Sequence, residues 1–160
     1  MNIRFAVPSD LDAVTAVEAA CFPKAEAATR EEFADRLRFY PNHFWLLEEN
    51  GELLAFLNGM VTDEPAIRDV LYADAALHRE AGAWQTVFGI NTLPAYRRRG
   101  YAARLMERMI ADARTQGRRG CILTCKEPLI AYYEKFGYRS AGRSQSVHGG
   151  AVWYDMRLLF

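Results

Sequence analysis

Arg97-Arg98-Arg99-Gly100-Tyr101-Ala102 is the stretch on which the fold prediction depends, because it separates an apolar run at 87–90 from a strongly amphipathic helical pattern. A strand, a tight basic turn and a helix start form an anion site in that order. The first N–H groups of a helix have no partner within it, and the helix dipole adds positive charge there. Gly100 lets a large anion approach the main chain, and the arginines add mobile positive charge. The ligand of this turn is therefore predicted to carry phosphates, with a diphosphate as the first choice.

The residues after the turn predict one long helix and a return strand. Apolar side chains recur at helical spacing along one face, at Ala102, Leu105, Met106, Met109, Ile110 and Ala113. Gly117 is typical of the position just beyond a helix end, and 120–125 is predicted to be the next strand. The order strand, helix, strand predicts parallel neighbouring strands beside the turn.

Length and composition restrict the classes of protein to consider. The 160 residues fit a single domain, 1–160, and 51% apolar residues suffice for a core. Lysine plus arginine equals aspartate plus glutamate at 20 each, so a dedicated nucleic-acid binder is not expected. Cys21, Cys121 and Cys125 lack metal-ligand spacing, so no metal is predicted, and their odd number favours reduced thiols in the cytoplasm. No secretory leader and no apolar run of about 18 residues is present, so no membrane insertion is predicted.

The rest of the chain predicts an α/β fold, a mixed sheet with helices on both faces. Helices are expected from Ser9, from the capping box Thr29–Glu32, and over 65–80. Strands are expected at 3–7, 43–48, 52–61 and 83–92, with a closing hairpin of 138–147 and 151–160. Asn50-Gly51 is a strong two-residue hairpin signal between the second and third strands.

Two motifs carry a family resemblance. Arg97, Gly100 and Ala102 match the pattern Arg/Gln-x-x-Gly-x-Gly/Ala, whereas the P-loop and dinucleotide Gly-x-Gly-x-x-Gly patterns are missing. Residues 131–138, Ala-Tyr-Tyr-Glu-Lys-Phe-Gly-Tyr, follow at the expected distance. Together these motifs resemble the GNAT superfamily of acyl-CoA N-acyltransferases. The chain is most similar to the serotonin (arylalkylamine) N-acetyltransferase-like branch, through Cys21-Phe22-Pro23, Glu32-Phe33, Tyr40-Pro41 and the 48–58 hairpin.

The resemblance implies an acetyl-CoA-dependent transferase and assigns residues to it. Pantetheine amides pair with an exposed strand edge, and the diphosphate binds the turn. The implied cofactor-binding residues are Ile90, Asn91, Thr92, Leu93, Arg97, Arg98, Arg99, Gly100, Tyr101 and Ala102. Tyr133 matches the family tyrosine that protonates the departing thiolate, a role suited to a phenol that is protonated at neutral pH.

The general base is left open by the sequence. The strand before the turn has no histidine or acid, so proton removal from the amine is expected through ordered water, with Gln85 or Thr86 and a carboxylate from elsewhere. His148 is the only histidine near the closing hairpin, and a loop histidine is more often solvated. Cys125 is a conceivable nucleophile, but no partner histidine supports it and direct transfer is preferred.

The acceptor is predicted to be a primary amine of a small molecule, bound by a monomer or homodimer. Segment 63–83 holds five acids against two arginines, which would attract a cationic amine or merely form a solvated face. Aromatic residues that would line an arylalkylamine pocket or fill the core are Phe22, Phe39, Tyr40 and Trp84. A weakly catalytic acyl-CoA-binding module is the main alternative function, and a nucleic-acid-associated protein is a distant one.

Overall fold

A computed structural model describes residues 1–160 and confirms a mixed α/β fold. The strands are β1 (Asn2–Phe5), β2 (Phe44–Glu49), β3 (Glu52–Asn58), β4 (Val61–Thr62), β5 (Trp84–Val87), β6 (Gly89–Thr92), β7 (Gly120–Cys125), β8 (Arg139–Arg143) and β9 (Tyr154–Leu159). The helices are α1 (Leu11–Cys21), α2 (Arg30–Phe39), α3 (Asp69–Ala73), α4 (Tyr101–Thr115) and α5 (Ile130–Glu134). No helix is long and apolar enough to reach across a bilayer.

The strands form two sheets rather than one. The first has the order β1-β2-β3-β6 and the second β4-β5-β7-β9-β8. Only β5 and β7 run parallel, as the strand–helix–strand order predicted, and every other pair is antiparallel. One apolar cluster lies between α4 and the sheets, and a second lies under α1 and α2, so helices cover both faces.

The predicted strand 83–92 is in fact two strands in different sheets. Val87 is the last residue of β5 to pair with β7, opposite Leu123, whereas Gly89 begins β6 and pairs with Asn58 of β3. Phe88 is the crossing point, and its N–H donates to the carbonyl of Asn58 at 2.7 Å. Because β6 leaves the second sheet while β7 continues in it, the two strands diverge. The resulting cleft is the feature that positions the candidate site.

Local signals predicted several elements correctly. The Thr29 hydroxyl accepts the N–H of Glu32, and the Glu32 carboxylate accepts the N–H of Thr29, at 3.1 and 2.9 Å. Asn50 and Gly51 both have positive φ, 53° and 79°, as a tight hairpin turn of the primed type requires. The long helix and return strand after the basic turn also lie where they were predicted.

Other predicted bounds were wrong. The helix expected over 65–80 is only α3 and a separate 3-10 turn, which begins where the Asp74 carboxylate accepts the N–H of Ala76 at 3.2 Å. The third strand ends at Asn58, because Val61 and Thr62 pair with β5 in the other sheet. Ser9 is not a helix cap. It lies inside a 3-10 turn ahead of α1.

Candidate active site

Two adjoining hollows occupy the cleft between β6 and β7. The groove, of about 640 Å³, runs along β6 to the basic turn at the start of α4. The cavity, of about 350 Å³, lies between β7 and the first two helices. The residues that line both hollows are Cys21, Phe22, Ile90, Leu129 and Tyr133. A molecule extended along the groove would therefore present its end to the cavity beside Tyr133.

The far end of the groove has the geometry of an anion site. None of the N–H groups of residues 98–103 donates to a backbone carbonyl. Arg98 and Gly100 adopt left-handed φ values of 64° and 79°, which fold this segment into a concave turn. Free N–H groups on such a turn, at the N-terminus of a long helix, bind anions such as phosphates. Among the predicted residues, Arg98, Gly100, Tyr101 and Ala102 line the groove.

Three of the predicted cofactor-binding residues are placed differently from expectation. The Leu93 N–H donates to Leu54 at 2.9 Å, and its side chain packs on the core under α1 and α2, so it does not line the groove. Arg99 also lies off the groove, with its guanidinium 5.2 Å from the centre of the Tyr96 ring. Arg97 lines the groove, but its N–H already donates to the carbonyl of Pro94 at 3.4 Å.

The wall of the groove is a free strand edge. β6 has β3 as its single partner, so its other edge faces the cleft. Ile90, Asn91 and Thr92 line the groove along this edge. The carbonyl of Thr92 already accepts the Cys21 thiol and the Arg97 guanidinium, both at 3.2 Å. The remaining edge can pair with an amide-bearing chain as an added strand would.

Tyr133 lies where the groove meets the cavity. It belongs to α5, is 8% exposed, and packs edge to face against Tyr132 at 5.2 Å between ring centres. Burial raises the pKa of its phenol well above the usual value, with smaller contributions from Cys125 and Tyr132. Tyr133 therefore remains a proton donor throughout the physiological range.

The cavity contains a buried carboxylate that sequence reasoning missed. Glu18 of α1 is 5% exposed and lines the cavity. Its carboxylate accepts the N–H of Ala28 at 2.8 Å and the side-chain amide of Asn91 at 2.7 Å. Burial raises the pKa of Glu18, although the hydrogen bonds from these two donors act in the opposite direction. The sequence could have indicated Glu18, because it lies four residues after Val14 on the apolar face of α1, where a charged residue is unusual.

Polar atoms converge above Gly89, next to Glu18. The side-chain amide nitrogen of Asn58 and the side-chain oxygen of Asn91 are buried and have no hydrogen-bond partner. A Cβ added to Gly89 would lie 3.3 Å from that Asn91 oxygen and 3.6 Å from both the Asn58 nitrogen and Glu18 Oε1. One donor and two acceptors thus surround a single point that any larger residue at position 89 would occupy.

His148 also lines the cavity instead of lying in solvent. Its Nε2 lies 2.8 Å from the carbonyl of Glu26, which can only accept, so Nε2 carries a proton and donates it to this hydrogen bond. The centre of its ring lies 5.0 Å from the centre of the Tyr72 ring, and the Tyr72 hydroxyl is hydrogen-bonded to the Thr124 hydroxyl at 2.9 Å. Sequence reasoning could not foresee this, because the closing loop meets the α1–α2 connection only in the folded protein.

Three residues considered for chemistry are excluded by their surroundings. Gln85 and Thr86 are completely buried. The Gln85 side chain is hydrogen-bonded to the Gly59 carbonyl and to His43, and the Thr86 hydroxyl donates to the Met60 carbonyl, so neither reaches the cavity. Cys125 does line the cavity, but burial raises the pKa of its thiol to about 11. It is therefore a thiol, not a thiolate, at neutral pH and a poor nucleophile.

None of the acids of segment 63–83 lines the cavity. Its acids are engaged elsewhere; for example, Asp63 pairs with Arg79 and Glu64 with Arg68. Of the aromatic residues considered for the pocket, Phe22 lines it, whereas Tyr40 and Trp84 are core residues and Phe39 is exposed. The other aromatic residues lining the cavity are Tyr72, Phe88, Tyr133 and Trp153.

One cluster has the residue types of a metal site and lies outside both hollows. Ligand atoms of His43, His78 and Glu80 lie within 4.8 Å of one another. The Val61 N–H donates to His78 Nδ1 at 3.0 Å, so His78 Nε2 carries a proton and donates to Glu80 at 2.9 Å. A protonated nitrogen cannot bind a metal, and this cluster is accordingly a hydrogen-bond network around the Glu80 carboxylate.

Comparison with known proteins agrees with this geometry. The structure is similar to a GphF GNAT-like decarboxylase in complex with isobutyryl-CoA, with a TM-score of 0.87 and 24% identity over 99% of both chains. It is also similar to the loading GNATL domain of CurA from Lyngbya majuscula (0.86, 17%, covering 99% and 96%) and to the ribosomal-protein-S18-alanine N-acetyltransferase of Escherichia coli (0.74, 20%, covering 99% and 92%). At these identities the likeness establishes the fold.

Sequence comparison supplies the family. Serotonin N-acetyltransferase of Mesocricetus auratus is 24% identical over 110 residues, which are 68% of this chain and 52% of that protein, so the chain matches about half of that relative's length. The model of the acetyltransferase (GNAT) family matches residues 11–138, most of the chain. The predicted resemblance is thereby confirmed, and the chain belongs to the GNAT family of acetyltransferases.

Proposed function

We propose that this protein is an acetyl-CoA-dependent N-acetyltransferase that moves the acetyl group directly to a primary amine of a small molecule. The observation that carries the proposal is a continuous path. Free N–H groups of residues 98–103 stand at one end, an open strand edge runs between, and Tyr133 stands at the entrance to the cavity. Coenzyme A has a diphosphate, a chain of amides and a thiol in this same order.

Each part of the path has a role in holding acetyl-CoA. The diphosphate would lie against the N–H groups of 98–103, with Arg97 and Arg98 adding charge. The pantetheine amides would pair with the free edge of β6 at Ile90 and Thr92. The thioester would then lie where Ile90 and Tyr133 line both hollows, and the acceptor amine would approach it from the cavity.

Transfer requires a proton to leave the amine and another to reach the thiolate. The amine nitrogen attacks the thioester carbonyl, and the carbon–sulfur bond breaks as the carbonyl re-forms. Tyr133 supplies the proton to the departing sulfur, because its phenol remains protonated and lies at the junction. No covalent enzyme intermediate is needed, in keeping with the un-ionised Cys125.

Glu18 is the proposed proton acceptor, acting through one water molecule. A water placed above Gly89 would accept from the Asn58 side-chain amide and donate to Asn91 and Glu18, which satisfies atoms that otherwise lack partners. A water bound in this way links the buried carboxylate to the cavity. The proposed relay is supported by the convergence of these side chains, and it agrees with the water-mediated proton removal that the sequence predicts.

A small acceptor is favoured by the cavity itself. At about 350 Å³ it matches the lower range of small-ligand sites, and its lining combines apolar side chains with several polar and charged ones. The net charge of zero gives no general attraction for nucleic acid. A cytoplasmic location and a monomeric or homodimeric state remain predictions from the sequence.

The test is an amine screen with acetyl-CoA, in which release of the coenzyme A thiol reports transfer. We expect saturable acetyl-CoA binding and turnover with at least one class of small primary amine. Tight binding of acetyl-CoA without turnover of any amine would instead favour the alternative, an acyl-CoA-binding module. A protein with no measurable affinity for acetyl-CoA would contradict both functions.

A further inference from the structure

A buried arginine on the cavity wall is not used by the mechanism above. Arg36 of α2 is 3% exposed and lines the cavity. Its guanidinium donates to the side-chain oxygen of Asn58 at 3.0 Å and to the carbonyl of Tyr72 at 2.9 Å. The group lies against two aromatic faces, 5.0 Å from the Phe88 ring and 5.4 Å from the Phe33 ring. The arginine is thus held in one orientation at the cavity.

Its positive charge forms no close ion pair within the protein. None of the ion pairs in the structure includes Arg36. Its Nε is buried without a hydrogen-bond partner, and both groups that it contacts are neutral. Burying a cation without an anion is expensive, and a guanidinium has five N–H donors of which two are used here. An uncharged side chain could serve a purely structural role at this position without the free-energy cost of burying a charge.

Glu18 is the other fully buried charge on the cavity wall; Lys126 and Glu26 also line the cavity but pair with each other, and Glu32 is only partly buried. The Glu18 carboxylate lies on the same cavity but is not paired with Arg36, and its partners are the Ala28 N–H and the Asn91 amide. A cation and an anion that face one cavity without meeting each other are complementary to a ligand that carries both an amino group and a carboxylate. The planar fork of an arginine matches the two oxygens of a carboxylate.

We propose that Arg36 binds a carboxylate on the molecule that occupies the cavity. This inference deepens the proposed function and rests on it for the identity of the reaction. The favoured source is the acceptor, an amino acid or related zwitterion whose amine faces Glu18. The same chemistry would be supplied by a dicarboxylic acyl group attached to coenzyme A, and the experiment separates the two sources.

The first experiment uses the wild-type protein and pairs of ligands that differ in the carboxylate. On the acceptor side, phenylalanine is compared with phenylalaninamide and β-alanine with β-alaninamide, by thermal shift with and without coenzyme A and by turnover with acetyl-CoA. On the acyl side, malonyl-CoA is compared with butyryl-CoA, which has a chain of about the same length. A charge-assisted hydrogen bond predicts a preference of about tenfold or more for the carboxylate in one of these arms.

The second experiment assigns that preference to Arg36. Arg36→Met removes the guanidinium and Arg36→Lys keeps a charge without the planar fork. Arg38→Met, on the same helix but with a largely exposed side chain, is the matched control. We expect the ratio between the carboxylate ligand and its neutral partner to fall to about one in Arg36→Met and to be unchanged in Arg38→Met.

Each outcome decides the proposal. Preference on the acceptor side identifies an amino-acid-like substrate, and preference on the acyl side identifies a dicarboxylic acyl group. Equal binding of both members in every pair by the wild-type protein overturns the proposal even if Arg36→Met does not fold. A preference that survives in folded Arg36→Met also overturns it. The thermal-shift arm without coenzyme A keeps this result distinct from a failure of acetyl-CoA binding, which would refute the proposed function instead.

Discussion

Replacing Gly89 with alanine tests the proposed proton path with a single methyl group. The added Cβ would lie 3.3 Å from the Asn91 side-chain oxygen and 3.6 Å from Asn58 and Glu18, so the methyl group would intrude into the space assigned to the water. Gly89 does not have a positive φ, and alanine can therefore adopt its backbone conformation. The substitution should exclude the water while keeping Asn58, Asn91 and Glu18 in the protein, with only a small shift of the Asn91 oxygen.

The magnitude follows from the two effects of the methyl group. Stability should change by less than about 1 kcal/mol, since the entropic gain of replacing glycine offsets a contact that is slightly tight. General base catalysis is worth roughly 10²–10⁴ in rate, so kcat should fall by about 100-fold or more. Affinity for acetyl-CoA should be unchanged, because Gly89 does not line the groove.

The assay is thiol release at saturating acetyl-CoA, paired with calorimetric titration of acetyl-CoA. Glu18→Gln provides the matched comparison, because it removes the other end of the same relay. Groups that act as one unit give non-additive losses, so the double variant should be about as slow as the slower single variant. A Gly89→Ala enzyme with normal kcat, or losses that multiply in the double variant, would refute the relay.

Three further predictions concern individual side chains. Tyr133→Phe should lower kcat by about 100-fold and leave acetyl-CoA affinity nearly intact, since it removes the proton donor and keeps the ring; equal kcat in both proteins would remove Tyr133 from the mechanism. Cys125→Ala should change turnover by less than about threefold, because burial raises the pKa of this thiol to about 11 and leaves it a poor nucleophile. Complete loss of activity in a folded variant would instead support a covalent acyl-enzyme on Cys125. Although burial alone would raise the pKa of Glu80, its hydrogen bonds from His78 and His43 lower it to about 2. This carboxylate therefore stabilises the fold above the usual glutamate pKa and loses that contribution as the pH falls toward 2. The melting temperature of Glu80→Gln should be below that of wild type at pH 6 and approach it near pH 2, and a constant gap would contradict this.

Features that depend on neighbouring residues in the chain were predictable from the sequence. The basic turn, the amphipathic run after it and the Thr29–Glu32 capping box each specify their own conformation through spacing and local hydrogen bonds. The Asn50-Gly51 hairpin belongs to the same class. Because the basic turn and the Tyr133 segment are local motifs, the residues at one end of the groove and at its junction with the cavity could be predicted.

The rest of the site is made by contacts between distant segments. The run 83–92 has an apolar stretch at 87–90 between polar residues, and this pattern does not mark Phe88 as the point where the chain changes sheets. Glu18 meets Asn91, and His148 meets the carbonyl of Glu26, across separations of 73 and 122 residues. Arg36 lies three residues after Phe33 on the apolar face of α2, but the sequence does not show that Asn58 and Tyr72 supply its acceptors from other elements. Cavity chemistry was for this reason the part that sequence reasoning could not reach.

The most direct measurement is the affinity of acetyl-CoA for Gly100→Glu compared with Gly117→Glu. Both glycines have a φ of 79° and no atom within 4 Å of an added Cβ, so the two variants suffer the same backbone strain in open space. Gly100 lines the groove directly before the first residue of α4, whereas Gly117 lies just beyond the other end of that helix. A carboxylate about 5 Å from a phosphate charge, in an effective dielectric of about 20, is repelled by roughly 3 kcal/mol. We predict that Gly100→Glu weakens acetyl-CoA binding by about 100-fold and that Gly117→Glu leaves it unchanged. Equal affinities in the two variants would show that the N–H groups of residues 98–103 do not hold the diphosphate.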